Sequence, residues 1–192
     1  MKLQQTASQT VGPFFHYGLM TEDDFNILVN DDTQGERILI KGQVKDGKGD
    51  PVLDAMIEIW QADVNGHFNH NADPNNSQAD KNFRGFGRAD TLKDGVYTFK
   101  TVKPGAVPFD DVQPQAPHIN VRVFARGMLV HAYTRLYFAD EAEANQYDPI
   151  LNLVPAERQH TLIATPEDRG DLCTYCFNIV LQGEDETVFF DP

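Results

Sequence analysis

From Ile38 onward, the chain is a series of short stretches in which apolar and polar residues alternate, separated by turn-forming residues. In "RILIKGQVKD", Ile38, Ile40, Gly42 and Val44 share one side of an extended strand, because successive side chains on a strand point to opposite faces. Similar stretches are "AMIEIWQAD", "DGVYTFKTV", "HINVRVFARG", "HAYTRLYF", "HTLIAT" and "CTYCFNIVLQG". Many short strands with turns between them predict a mainly all-β fold, a β-sandwich or barrel.

The other segments divide the chain into an arm and one domain. Residues 1–36 precede the first predicted strand and are interpreted as an irregular N-terminal arm. Residues 37–192 are predicted to form a single β-sandwich domain, since no linker or internal repeat divides them. Residues 63–88 are polar and rich in Gly and Asn, and a loop of this length usually has a function. One short helix is predicted in "ADEAEANQYDP", ended by Pro149.

The charge balance excludes some classes of partner. Sixteen Lys and Arg against twenty-nine Asp and Glu give a net charge of -13, which would repel a phosphate backbone, so we expect no nucleic-acid partner. A small anionic ligand would need a local cation. The chain has no apolar run of about 20 residues, and its first residues do not follow a signal-peptide pattern. The expectation is a cytoplasmic protein with no membrane partner.

The two cysteines lie three residues apart in "CTYC", within a predicted strand. Cys173 and Cys176 should therefore point to opposite faces, which suits neither a disulfide nor a shared metal ion. Their presence in this arrangement favours a reducing compartment.

Two groups of residues that contain histidine raise the question of a metal site. His118 and Asn120 are two residues apart on a predicted strand and face the same side, but an Asn amide is a poor ligand for a transition metal. A buried, hydrogen-bonded His118 is the favoured interpretation. His67, His70 and Asp73 in the long loop could in principle chelate a divalent ion. Nothing in the sequence fixes their geometry, and an exposed polar loop is the simpler explanation.

Three separated motifs carry a resemblance to a known family. "GQVKDGKGDPVLDAMIEIWQADVNGHF", "FGRADTLKDGVYTFKTVKPGAVPF" and "APHINVRVFARG" resemble, in the same order, the core of the intradiol ring-cleaving dioxygenases. The resemblance extends from about Gln9 to the C-terminal "GEDETVFFDP". It implies an intradiol-dioxygenase-like β-sandwich with short helices. It also implies a non-haem ferric ion held by two tyrosines and two histidines, whose phenolates stabilise Fe(III).

The resemblance also implies that this chain has lost most of the residues that hold the iron, and the four corresponding positions are called the degenerate ligand positions. The two tyrosine positions fall on Phe68 and Val107, and the histidine pair falls on His118 and Asn120. Phenylalanine and valine cannot coordinate a metal. The family's arginine ahead of the histidine pair is replaced in the region of Gln115. The resemblance therefore implies that this chain has no metal ligand set, and no catalytic residues, of its own.

Some members of the family consist of two homologous chains, and this sequence resembles the α chain, which lacks the ligands. The resemblance implies a β-chain partner that holds Fe(III) and a higher αβ oligomer. It also implies intradiol cleavage of protocatechuate, an anionic catechol, by O2 to 3-carboxy-cis,cis-muconate in the β-ketoadipate pathway of aromatic catabolism. The active site would lie between the chains, so that this chain supplies interface and part of the pocket.

Two local segments are implied to reach that pocket. In "QTVGPFF", Gly12 and Pro13 would line it, and in "VFARG", Arg126 would point toward it. A guanidinium beside the flexible Gly127 would supply the local counter-charge for an anionic substrate. The alternatives are a solvated arginine at a strand end, and a Gly-Pro pair that only directs the arm.

Three further features involve aromatic residues that could lie in the core or in an interface. Trp60 is predicted to be a core or interface aromatic. Tyr133, Arg135 and Tyr137 could face a partner or form a structural group within the sandwich. Val188–Phe190 are apolar and terminal, which predicts docking in a subunit interface.

Two other functions remain open at this stage. One is a stand-alone β-sandwich binding or structural module that kept only the fold. The other is an independent metalloenzyme that uses the histidines of the long loop or His118. Retention of "VGPFF" and "VFARG" favours the α-chain hypothesis over the first, and no motif supports the second.

Overall fold

The computed structural model describes residues 4–12, 14–21, 25–109, 113–167 and 172–191. Within them, short strands dominate, and the helices are α1 (Phe15–Leu19) and α2 (Ala142–Tyr147), with 3-10 turns at Asn76–Gln78, Leu151–Leu153 and Gln159–Leu162. The strands are β1 (Arg37–Lys45), β2 (Met56–Gln61), β3 (Phe86–Asp90), β4 (Val96–Val102), β5 (Val107–Pro108), β6 (Pro114–Gln115), β7 (His118–Phe124), β8 (Ala132–Phe138), β9 (Ile163–Glu167), β10 (Cys173–Cys176) and β11 (Ile179–Val180).

Nine of these strands form one curled sheet. Its order is β4-β1-β10-β9-β8-β7-β2-β3, with β11 pairing the end of β1, while β5 and β6 form a separate pair. Strand β1 is antiparallel to β4 and parallel to β10 and β11. The outermost strands β3 and β4 approach each other, so the sheet nearly closes into a barrel whose two halves face one core. The predicted mainly-β fold with short helices is confirmed.

The alternating pattern of β1 buries the predicted face. Ile38, Ile40 and Val44 are each at most 1% exposed. Gly42 shares this face because the sheet is too tight there for a side chain: a Cβ at Gly42 would lie 1.7 Å from the carbonyl oxygen of Phe177. Sequence periodicity and packing therefore agree on which side of the first strand faces the core.

The prediction of an uninterrupted loop over residues 63–88 is wrong at its end. Strand β3 begins at Phe86 and pairs with β2. Its inward positions are the small residues Gly87 and Ala89, and a Cβ at Gly87 would lie 2.6 Å from Leu28 Cδ1. Leu28 is 1% exposed, so a side chain from the preceding arm fills the core space that an apolar residue of β3 would otherwise occupy. This is why β3 lacks a strand-like sequence.

The described parts of the arm that precedes β1 pack on the sheet at several places besides Leu28. Ile27 forms an isolated bridge with Lys100 of β4, and the ring of Phe15 in α1 lies 5.5 Å from that of Phe124. The arm thus contains a helical turn that the sequence did not predict. The domain boundary at residue 36 stays a prediction.

The C-terminal tail packs against its own chain, where the sequence predicted a subunit interface. Phe190 N donates to Tyr133 O at 2.8 Å, and Thr134 Oγ1 donates to Val188 O at 2.7 Å. Val188 and Phe190 also pack, partly buried, against a buried cluster of the same chain, so part of the apolar surface of the tail is covered within the chain. Docking of the tail in a subunit interface stays a prediction.

Two smaller predictions concern the helix and the cysteines. The predicted short helix is present as α2. Cys173 and Cys176 lie on β10 as half-buried free thiols. In the part of the chain that the structure describes, no helix is long and apolar enough to cross a membrane.

Candidate functional site

The degenerate ligand positions are grouped around Trp60 on the outer face of the sheet. Trp60 of β2 pairs directly with Asn120 of β7. Its indole ring stacks on Phe68 with ring centroids 5.7 Å apart, and His70 meets the same indole edge-on at 5.7 Å. Trp60 is half-buried and lies outside both buried clusters, so it is part of this site and not of the core.

Trp60 also lines two cavities. The larger has a volume of about 490 Å³ and includes Asn120, and the smaller, about 330 Å³, includes Phe68 and Val107. The larger is lined by Glu58, Ile59, Trp60, Phe86, Asn120, Arg122 and Tyr133. Three of the four degenerate positions therefore border adjoining cavities, as expected for the remains of one site.

His118, the fourth position, is buried and hydrogen-bonded, as the sequence favoured. Its side chain is 3% exposed, and Nδ1 lies 2.8 Å from the carbonyl oxygen of Ala116. Burial, helped by the positive charge of Arg135, lowers the pKa of His118 to about 4. The imidazole is therefore neutral at physiological pH.

Asn120 belongs to a polar network with strand β8. Its Oδ1 accepts a hydrogen bond from the hydroxyl of Tyr133 at 2.5 Å. Arg135 pairs directly across from Asn120, and its Nη1 donates to Gln115 Oε1 at 2.6 Å. Tyr137 is fully buried beside them. The side chains of Tyr133, Arg135 and Tyr137 thus make bonds within the chain, which favours the structural interpretation of this group.

A residue that the sequence did not single out, Asp148, holds the inner side of this network. Its Oδ1 accepts from the hydroxyl of Tyr137 at 3.0 Å and from the backbone N–H of Leu151 at 2.7 Å, and its Oδ2 accepts from the N–H of Ala116 at 2.8 Å. The only sequence signal was an Asp-Pro pair after a short helix, which marks the helix end and says nothing of this role.

The residues present do not fit the ferric ion that the resemblance implies. Phe68 and Val107 carry no donor atom, and the amide oxygen of Asn120 already accepts a hydrogen bond from Tyr133. His118 leaves a single imidazole, and one neutral imidazole does not make a site for Fe(III). The structure thus agrees with a degenerate site.

The alternative metal site in the long loop is also not supported. Asp73 Oδ2 accepts from Phe68 N at 2.6 Å, and His70 Nδ1 accepts from Ala72 N at 3.1 Å, so both side chains hold the turns of the loop. Across the described ranges, no three His, Cys, Asp or Glu side chains, His67 included, are grouped as a metal site would require.

Arg126 lies away from the degenerate ligands, in a turn that the N-terminal arm contacts. It follows β7 and forms an ion pair with Asp54, while 68% of its side chain is exposed. The hydroxyl of Thr10 accepts from Gly127 N at 2.8 Å and so ties the arm to this turn. Gly12, two residues after Thr10, is exposed, and a Cβ there would meet no atom within 4 Å. Pro13 lies outside the described residues.

Strand geometry sets the distance between these two regions. Asn120 is near the start of β7 and Arg126 is beyond its end. From Asn120 to Phe124 the strand spans roughly 13 Å, and Arg126 lies two residues further on, in the turn. Arg126 is not among the residues that line the cavity next to Asn120 in its own chain. The roles of Thr10 and Asp54 were not predicted, since only the folded arm and turn bring them to Arg126.

Comparison with known proteins identifies the class of this chain. Residues 10–183 match a protein-family model described as Dioxygenase, so the chain belongs to this dioxygenase family. The chain is 47% identical to the protocatechuate 3,4-dioxygenase alpha chain of Burkholderia cepacia over 98% of both chains. It is 35% identical to the protocatechuate 3,4-dioxygenase beta chain of the same organism, over 84% of this chain and 71% of that one.

A solved structure supports the same fold. The dioxygenase domain of a dioxygenase carbohydrate-binding protein fusion from Streptomyces sp. SirexAA-E matches with a TM-score of 0.60 at 24% identity, over 82% of this chain and 87% of that one. Intradiol dioxygenases are iron-dependent enzymes. The family resemblance predicted from the motifs is confirmed, and the higher identity to an alpha chain than to a beta chain matches the predicted type of chain.

Proposed function

We propose that this chain is the non-catalytic alpha subunit of a protocatechuate 3,4-dioxygenase, which cleaves protocatechuate with O2 to 3-carboxy-cis,cis-muconate in aromatic catabolism. The observation that carries the proposal is full-length similarity to an alpha chain in a sequence that has lost three of four ligand positions. A stand-alone module would not be expected to match an alpha chain over 98% of its length.

The iron of the enzyme is held by the homologous beta chain. Phe68 and Val107 leave this chain without a phenolate at the two positions where the family uses tyrosine. The supporting chemistry is that hard anionic oxygen ligands favour Fe(III), whereas aromatic and aliphatic side chains provide no lone pair. The alpha chain then contributes the interface and a wall of the substrate pocket in an αβ oligomer located in the cytoplasm.

Arg126, Gly12 and Pro13 form the part of the pocket that is lent to the beta chain. Arg126 is exposed and does not line the cavity next to Asn120 of its own chain, so a substrate that it contacts belongs to a neighbouring site. A guanidinium has five N–H donors, and an ion pair with Asp54 leaves donors for a substrate carboxylate. It also supplies a local positive charge in a chain whose net charge of -13 repels an anion at long range.

Co-expression tests the assignment of the subunit. The chain is purified alone and with a candidate beta chain, and the iron content and visible absorption are measured. The proposal expects a colourless, inactive chain alone and a coloured, active complex. Stoichiometric iron in the chain alone would contradict the proposal, and failure to associate with any candidate beta chain would favour the stand-alone module.

Substitution of Arg126 tests the pocket. In the complex, Arg126→Ala should raise KM for protocatechuate about 10-fold or more, because a charge-assisted hydrogen bond to the carboxylate is lost. Iron content should not change. Lys93→Ala removes an exposed positive charge elsewhere and is the matched control. Unchanged kinetics in the Arg126→Ala complex would refute the pocket role while leaving the subunit assignment intact.

A further inference from the structure

Arg135 lies beside two of the four degenerate ligand positions. On β8 it pairs directly across from Asn120, and Tyr137, two residues further on, pairs with His118. Residues two apart on a strand share a face, and directly paired residues have Cβ atoms about 5 Å apart. The guanidinium group therefore projects from the same side of the sheet as the two positions of the family's histidine pair.

The surroundings of Arg135 fix the guanidinium in place and keep it charged. Nη1 donates to Gln115 Oε1 at 2.6 Å. Burial alone would lower the pKa of Arg135, but contacts with the side chains of Tyr137 and Tyr133 outweigh it and leave the pKa above its ordinary value. The site therefore contains a permanent positive charge.

Stability alone does not explain this arginine. Its Nε–H is buried and has no hydrogen-bond partner among the described residues. A buried donor without a partner destabilises the folded state, and a neutral amide could satisfy Gln115 without introducing a charge. An arginine at this position is better explained by its charge.

We propose that Arg135 is a metal-excluding residue, whose positive charge beside the two positions of the family's histidine pair keeps metal out of this chain. The inference goes beyond the subunit assignment, because it concerns this chain alone. It implies that the loss of ligands is only one of two barriers to iron. A cation within about 5 Å of a bound metal ion should weaken its binding by about 100-fold or more.

The test restores the ligands and then varies Arg135. The full-length variant Phe68→Tyr, Val107→Tyr, Asn120→His is prepared with Arg135 kept, with Arg135→Gln and with Arg135→Lys. Each is titrated with Fe(III), and iron per chain and the visible tyrosinate band are measured. We expect near-stoichiometric iron and colour only with Arg135→Gln, since Lys keeps the charge.

Three results would overturn the proposal. Iron binding with Arg135 kept would show that the missing ligands were the only barrier. Equal binding in the Lys and Gln variants would assign the exclusion to side-chain shape and not to charge. Failure of all three to bind would show that removing the charge does not open the site.

A smaller change keeps the proposal testable if the two new tyrosines disturb the fold. Asn120→His alone, with and without Arg135→Gln or Arg135→Lys, places two imidazoles on one face of β7, and Cu²⁺ is the probe. Circular dichroism first verifies the fold. Calorimetry should give a Kd about 100-fold lower with Arg135→Gln than with arginine or lysine. Equal Kd values would overturn the proposal.

Discussion

The indole of Trp60 and the ring of Phe68 lie face to face, with centroids 5.7 Å apart and planes inclined by 8°. This contact joins the long loop to β2, because Phe68 follows the first turn of that loop. Trp60 is the only tryptophan in the sequence, so its fluorescence reports on the degenerate site alone. The site can therefore be followed without a metal or a substrate.

Phe68→Ala should remove the stacking partner of Trp60. We expect the indole to become more exposed to water, a shift of its emission to longer wavelength, and a loss of about 1–3 kcal/mol in the free energy of unfolding. Phe68→Tyr should keep the emission near that of the wild type. Phe14→Ala, at a ring that is 79% exposed, is the control and should change neither quantity. An unshifted spectrum for Phe68→Ala would contradict the stacked geometry.

Acid should destabilise the chain through His118. Its pKa is lowered from 6.5 to about 4 in the folded chain, mainly by burial, so between these values the unfolded chain binds more protons. The free energy of unfolding must then fall as the pH falls through this window. His118→Gln should remove up to about 3 kcal/mol of this pH dependence.

Urea unfolding at several pH values between 7 and 4 measures this effect. His160→Gln is the matched control, because His160 is exposed. The same pH dependence in the wild type and His118→Gln would show that His118 titrates normally in the folded chain.

Asp148→Asn should be among the most destabilising polar substitutions. The carboxylate accepts hydrogen bonds from Tyr137 and from three backbone N–H groups, those of Ala116, Ile150 and Leu151. An amide has one acceptor oxygen and places an NH₂ group against these donors, so we expect a loss of about 2–4 kcal/mol by chemical denaturation. Asp185→Asn, at an exposed turn, should cost less than about 0.5 kcal/mol. Similar losses in both variants would contradict the role of Asp148.

Ion pairs of Lys103 with Asp140 and Glu141 join the residues that follow β4 and β8. Lys103 Nζ lies 2.7 Å from Asp140 Oδ2, which also accepts from the hydroxyl of Tyr175 at 2.7 Å. Partial burial would raise the pKa of Asp140, but the hydrogen bonds from Lys103 and Tyr175 outweigh it and hold the pKa below its ordinary value. This stability is present above the unfolded pKa and is lost as the pH falls through the folded one.

Asp140→Asn should therefore lower the free energy of unfolding by about 1 kcal/mol at pH 7, a modest value because the carboxylate is partly exposed. The difference from the wild type should close as the pH falls below 3.8, the ordinary value for Asp140. Glu143→Gln on the exposed face of α2 is the control. A difference that persists in acid would show that the carboxylate charge is not what stabilises the contact.

The strands could be predicted from the sequence where the alternation of apolar and polar residues alone determined which face is buried. In β1 the two-residue period alone gave the buried face, because Ile38 and Ile40 must face the same side. The same rule failed for β3, whose inward residues are only Gly87 and Ala89, because Leu28 of the arm fills the core space at Gly87. When an apolar side chain from a distant segment fills the core space at a strand, the strand's own sequence need not alternate between large apolar and polar residues.

The site was predictable only as a set of motif positions. The motifs located Phe68, Val107 and Asn120, but they did not predict which residues contact these positions in the fold. Arg135 reaches Gln115 through strand register, and Thr10 reaches Gly127 through the course of the arm. Neither contact has a local signal in the sequence, because each depends on how separate segments are placed in three dimensions.

The position of β1 between β4 and β10 has a consequence for biosynthesis. Ile38 of β1 pairs with Cys173 of β10, which is far from it in the sequence, so this edge of the first strand stays open until β10 has been synthesised. Such distant pairing slows folding and leaves an aggregation-prone edge exposed during translation. Closure of the first strand therefore depends on β10, and truncations after β9 should yield insoluble protein even though the segments of the degenerate site would all be present.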